Sequence, residues 1–289
     1  MSIQPSIIAT LATRSAIHDL RILLASLEFW SADAPPTVYL SCDAAVAAWV
    51  ATYPYKGKLV IQESLTPYTD LDRAAMEKMP GIKYHNLFFD FVCEKMSLLE
   101  WVFATDSAAK TTGVLFCDAD ICFLGPLFQI PATATIAVSR HRIRDRDEAL
   151  YGKYNAGMIW MKSPEMVVLW RDACAGSTFY EQLPIETVVD SLDPTLVYQI
   201  PVTENYGWWR LWQGVSPAEE LQRTWGMNRG KPGAGITVGG EPLGSVHTHF
   251  HEMRDAATVR YNEWVLGWLR RIAKAHEPTR RFLKHMKWA

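Results

Sequence analysis

The chain has 289 residues, 49% of them apolar, and a formal charge of -2. The length fits one large α/β domain or two small ones, and the apolar content excludes a disordered chain. The near balance of charge gives no general attraction to nucleic acid. Five cysteines, with no C-x-x-C pair, read as buried or free thiols in a reducing compartment rather than a disulfide frame or a zinc site. No apolar run reaches the ~18 residues of a membrane span. The N-terminus has neither a basic n-region nor a long apolar core, so a cytoplasmic protein without a signal peptide is expected.

In chain order, "SIIATLA" (6–12) reads as a short buried strand. Residues 15–30 carry apolar residues at Ile17, Leu20, Leu24 and Leu27 behind Ser15, the spacing of a helix with a possible N-cap. A strand at 36–42, a helix at 43–53 and a strand at 58–64 follow. Residues 65–90 are aromatic and broken by Pro67, Pro80 and Gly81, which predicts a loop region with short helical pieces. A helix is predicted over 89–106, strands over 113–120, 135–141 and 155–162, and a helix over 163–176 with Pro164 at its first position. This alternation predicts a mostly parallel sheet covered on both faces. "GKPGAGITVGGEPLG" (230–244) holds six glycines and no P-loop pattern; it reads as a surface hairpin or a mobile lid.

The strand "GVLFCDAD" (113–120) runs into Asp118 and Asp120. Two like charges beside an apolar run are costly unless a cation lies between them. Ligands of open α/β sheets bind at the carboxyl ends of strands, and alternate residues of an extended segment share one side. Mg²⁺ and Mn²⁺ prefer oxygen ligands and are often shared by carboxylates and substrate phosphates. The pair therefore points to a metal-held diphosphate.

This context resembles the GT-A superfamily of nucleotide-sugar glycosyltransferases, most of all the glycogenin and bacterial lipooligosaccharide galactosyltransferase group. There an apolar-DxD-apolar segment is followed by an "NAG" strand, here "KYNAGMIWMK" (153–162), and by a late histidine, here within "VHTHFHE" (246–252). The resemblance spans roughly residues 5–252 and implies a catalytic domain over 1–252 followed by a basic helical segment over 253–289. It implies a GT-A type, Rossmann-like sheet, a divalent metal (Mn²⁺ or Mg²⁺) and a UDP-sugar donor. Asp118 would meet ribose and metal, Asp120 the metal, and His247 or His249 would be the third ligand, with His247 favoured; His251 would share their face. Zinc is an alternative for the histidines. Asn155 would bind donor-sugar hydroxyls, Gly157 would let the backbone come close, and Lys95 would reach the diphosphate or donor sugar. Thr10, Arg14 and Asp43 follow strands and would contact base and ribose. The relatives' Gly-Lys-Pro-Trp after the late histidine is absent, and Lys231 or Arg254 could take its place. The acidic-Gln pair of the retaining relatives falls on Glu181 and Gln182, with Glu186 a competitor, which implies transfer with retention.

"ENYGWWRLWQG" (204–214) offers Trp208, Trp209 and Trp212 as stacking surfaces for an acceptor sugar and Arg210 for an anionic group on it; a hydrophobic plug over the sheet is the bland reading. The C-terminal 263–289 has seven Lys and Arg against two acids, with Trp264 and Trp268 on one helix face. That suits either a helix docked on the domain or a peripheral membrane contact through 260–289, as a lipid-linked acceptor would need. A pyrophosphorylase would show a glycine-rich loop after the first strand, and a dehalogenase-type phosphatase would need Thr or Val where Cys122 stands. The function expected is metal-dependent hexosyl transfer to a glycan or glycolipid; the alternative is a non-catalytic sugar-nucleotide or glycan-binding protein.

Overall fold

Seven strands build the central sheet: β1 (Ile7–Ala12), β2 (Thr37–Cys42), β3 (Leu59–Glu63), β4 (Val114–Cys117), β5 (Ile136–Arg140), β6 (Tyr154–Met161) and β7 (Val197–Gln199). The computed structural model describes residues 2–31 and 34–288. The strand order is β7-β5-β6-β4-β1-β2-β3, and every neighbouring pair is parallel except those made by β6, which runs antiparallel to both β4 and β5. β1 and β6 are buried along their whole length, which is why both read as unbroken apolar runs rather than alternating ones.

One face of the sheet is covered by α3 (Leu87–Thr105) and α4 (Pro164–Cys174), the other by α1 (Ile17–Trp30) and α2 (Ala44–Val50). Asn86 opens α3 by accepting a hydrogen bond from Phe89 N at 2.8 Å, so this helix is capped as its sequence allows. The loop region before it contains the two short pieces expected there, Thr66–Tyr68 and Arg73–Lys78.

Beyond β4 the chain turns sharply, with Ile121 N donating to Asp118 O at 3.2 Å, and continues as the short strand Ile121–Phe123. The acid pair therefore sits in a tight turn, not in the extended segment expected from the sequence. Ile121–Phe123 pairs antiparallel with Ser245–His247, which pairs parallel with Tyr206–Gly207. Within 246–252 the strand stops at His247, and Phe250–His251 form a turn.

Residues 225–242 form an antiparallel sheet whose last hairpin turns through Gly239 (φ 59°) and Gly240 (φ 86°), a two-residue turn that needs positive φ at both positions. Ala234 and Ile236 are buried in it, so the glycine-rich segment is a packed hairpin and not a lid. The C-terminal helices α5 (Ala256–Ala273) and α6 (Glu277–His285) bury Tyr261, Val265, Leu269, Ile272, Phe282 and Leu283 against this sheet and α1. Trp264 and Trp268 pack on Trp225, and Trp288 on Phe250 and Phe282. The aromatic face of the tail is turned inward against the domain, and its Lys and Arg side chains are exposed.

Candidate metal and sugar-nucleotide site

Asp118, Asp120 and His247 each present a ligand atom, and these atoms all lie within 4.8 Å of one another. The register of the small sheet places them: His247 stands opposite Ile121, the residue after the acid turn, and Thr248 N donates to Asp120 O at 2.9 Å. His247 Nε2 is 3.1 Å from Asp120 Oδ1 and 4.0 Å from Asp118 Oδ2. Two carboxylates and an imidazole are a donor set that suits Mn²⁺ or Mg²⁺ completed by phosphate oxygens. Burial would raise the Asp120 carboxyl, yet the charges of His247 and His249 hold it well below the usual carboxylate range.

His249 stands outside the three-residue cluster. Its Nδ1 is 2.8 Å from Asp19 Oδ2 and its Nε2 3.5 Å from Asp120 Oδ2. The charge of Asp120 and the hydrogen bond to Asp19 push its imidazole up to about 10. His249 thus flanks the acids, between Asp120 and Asp19. Asp19, in the first turn of α1, was not singled out in the sequence. His251 does not share the face either: the turn after His249 carries it onto the His18 ring, 4.7 Å away.

A cavity of about 160 Å³ adjoins the acids, lined by Asp118, Asn155, Gly157, Glu181, Gln182 and Lys95 among others. A larger cleft, about 710 Å³, lies elsewhere, between Glu28–Trp30 and α6, and contains none of these residues. Lys95 is buried, with Nζ 3.1 Å from Asp118 Oδ1 and 2.8 Å from Glu181 Oε1. Burial opposes its charge, but the two carboxylates more than offset this and hold it firmly protonated. Gln182 Oε1 faces Ala156 N at 3.3 Å and Asn155 Nδ2 at 3.4 Å. Asn155 Nδ2 also donates to His141 Nε2 at 3.1 Å; burial pulls His141 down to about 4, so its imidazole is neutral and accepts this bond.

Gly157 is required by close approach. A Cβ there would lie 2.4 Å from His247 Cε1 and 2.8 Å from Asp118 Oδ2. Gly157→Ala is therefore expected to displace His247 and to lower donor turnover by about 100-fold, the cost of misplacing a reacting group by about 1 Å. Overpacking at this level costs only ~1–3 kcal/mol, so the variant should still melt cooperatively. Turnover close to wild type would show that the approach of these groups is unimportant.

Several sequence expectations are corrected by the structure. Thr10 lies inside β1 with no exposed surface and no partner for its hydroxyl, so it cannot meet a base. Asp43 is fully buried and caps α2: its carboxylate accepts from Val46 N at 2.9 Å, Arg14 N at 2.8 Å and Thr69 Oγ1 at 3.2 Å. The Arg14 guanidinium pairs with Asp70 at 3.5 Å. Glu186 is taken up by Lys153, through its backbone N at 2.8 Å and its Nζ at 3.2 Å. Arg210 is buried and all five of its N–H groups are used internally, on the carbonyls of Arg140, His141, Val202 and Glu204 and on Ser139 Oγ. None remains for an acceptor anion. Trp208 and Trp212 pack beside α5, while Trp209 alone of the three stands at the acids, its ring edge-on to His247 at 5.0 Å. Lys231 is paired with Glu241 at 3.1 Å on the hairpin, and Arg254 is exposed.

No family model and no curated protein sequence matches the chain. Among solved structures, the chain is similar to the galactosyltransferase LgtC in complex with donor and acceptor sugar analogs, at 12% identity over 89% of this chain and 94% of that chain, with a TM-score of 0.50. It is also similar to the apo-form glycosyltransferase GlyE of Streptococcus pneumoniae TIGR4, at 10% identity over 93% of this chain and 62% of that chain, with a TM-score of 0.51. The strand order, the acid pair at the carboxyl end of β4 and this likeness agree: the chain has the GT-A fold of the nucleotide-sugar glycosyltransferases.

Proposed function

We propose that the chain is a metal-dependent glycosyltransferase that moves a hexosyl group from a UDP-sugar to a hydroxyl of a glycan or glycolipid, with retention at the anomeric carbon. The observation that carries this is the convergence of Asp118, Asp120 and His247 beside the cavity lined by Asn155, Gly157 and Gln182. Asp118, Asp120 and His247 would hold Mn²⁺ or Mg²⁺, which when bound would neutralise the charge developing on the departing diphosphate. Lys95, fixed between two carboxylates, adds positive charge on the same side. The side-chain amides of Asn155 and Gln182 would orient donor-sugar hydroxyls, and Trp209 would give the acceptor ring an apolar face.

The pairing of the nearby carboxylates supports retention. An inverting enzyme needs a carboxylate base near the acceptor hydroxyl. Glu181 is buried against Lys95 and Glu186 is paired with Lys153, so both are engaged by lysines. In the proposed step the bond from the anomeric carbon to the diphosphate breaks and the bond to the acceptor oxygen forms on the same face. The acceptor proton passes to the departing phosphate. A panel of nucleotide sugars should raise the melting temperature with Mn²⁺ and less so without it. With the responding donor and a simple glycoside acceptor, proton NMR of the new linkage should show the donor's own anomer. An inverted product sinks the retaining mechanism, and a melting shift with no donor consumed would leave only a binding protein.

A further inference from the structure

Asn205 is fully buried and adopts φ 51°, a left-handed conformation that asparagine tolerates better than most residues. Its side chain touches His247 and Asn155 at once. Oδ1 is 2.8 Å from His247 Nδ1, and Nδ2 is 2.9 Å from Asn155 Oδ1 and 3.1 Å from Ser139 Oγ. A backbone donor dictates which amide atom faces which. Gly157 N donates to Asn155 Oδ1 at 2.9 Å, so that atom accepts. The Asn205 atom opposite it must then be the donor, Nδ2, and Oδ1 is the atom that faces His247. An amide oxygen only accepts, so His247 Nδ1 carries the hydrogen. Nε2, the nitrogen turned toward Asp120 and Asp118, is left to bind a cation.

We infer that Asn205 is a positioning residue: it fixes the tautomer and ring orientation of His247 for metal ligation, and through Asn155 it ties the metal site to the pocket for the donor sugar. The inference rests on the metal site proposed above. The segment that presents Asn205 is itself held, because Arg210 donates to the carbonyls of Val202 and Glu204 and to the Ser139 hydroxyl that Asn205 also uses. Groups that orient a metal-bound histidine in this way act on the metal without touching it.

The test is a titration of the full chain with Mn²⁺, following free Mn²⁺ by electron paramagnetic resonance. Asn205→Gly removes the amide at a backbone conformation that glycine adopts freely, and its Kd should rise about 10–100-fold. Asn205→Asp keeps an acceptor oxygen for His247 Nδ1 but loses both donations of Nδ2, and its Kd should stay within about threefold of wild type. A merely structural role gives the opposite ranking, since a buried carboxylate facing two acceptors is costlier than a glycine. Wild-type affinity in Asn205→Gly, or an Asp variant as weak as the Gly variant, overturns the inference. His247→Ala, titrated alongside, separates the two levels. If it binds Mn²⁺ like the wild type, the metal assignment of His247 falls and Asn205 with it. If it loses the ion while Asn205→Gly keeps it, Asn205 alone falls.

Discussion

Asp120→Ala is expected to lower donor turnover in Mn²⁺ by about 1,000-fold or more, because charge stabilisation by a bound cation is worth several kcal/mol and each ~1.4 kcal/mol is tenfold. The fold should survive. Asp120 contributes no cap, and its two imidazole neighbours keep other partners: His247 stays on Asn205 at 2.8 Å and His249 on Asp19 at 2.8 Å. Release of UDP from the donor measures the loss, and a cooperative thermal melt verifies that the chain is still folded. A folded variant within tenfold of wild-type turnover would remove the acid turn from the chemistry.

Deleting residues 270–289 is expected to leave no folded protein. The deletion takes away Ile272, Phe282, Leu283 and Met286, all buried, and uncovers Phe29 and Trp30 on α1, whose rings lie 5.2 and 5.3 Å from Phe282. Each such side chain contributes about 1.5–3 kcal/mol through burial, so the loss rivals the whole ~5–15 kcal/mol that holds a domain together. His276 and Thr279 also go, and with them the bond from Thr279 Oγ1 to Ala234 O at 2.7 Å that ties α6 to the hairpin. The truncated chain should be insoluble on expression or lack a cooperative melt. A soluble truncation melting within about 3 °C of the full chain, roughly the shift that 1 kcal/mol makes in a domain of this size, would return the tail to the role of a detachable appendage.

The sequence showed most of the strands and the larger helices, because β1, β4 and β6 are buried on both faces and so appear as unbroken apolar runs between turn residues. Asp118, Asp120, Asn155, Gly157 and Lys95, which the sequence singles out on three separate elements, come together around one cavity and its adjoining acid turn. What the sequence could not show depends on approach in space. Asp43 reads as a strand-end acid, but whether it caps a helix or faces a ligand is decided by Arg14 N and Thr69, far away in the chain. Arg210 sits among tryptophans and reads as a recognition residue; five internal acceptors claim it instead. Asn205 carries no motif at all. Its importance comes from a positive φ and from partners on β5, β6 and the strand Ser245–His247, none of which is local.

The hydrogen bond between Asp19 and His249 joins residues 230 positions apart in sequence. On the proposed function, the third ligand would likewise come from the strand Ser245–His247. During synthesis the acid turn leaves the ribosome well before either histidine, and joining segments so distant carries a loop-closure cost that only the finished fold repays. Affinity for an ion held there would thus be a property of the finished fold. A ligand that binds only the native state adds stability to that state alone. A divalent ion held there would therefore report on completion of the fold.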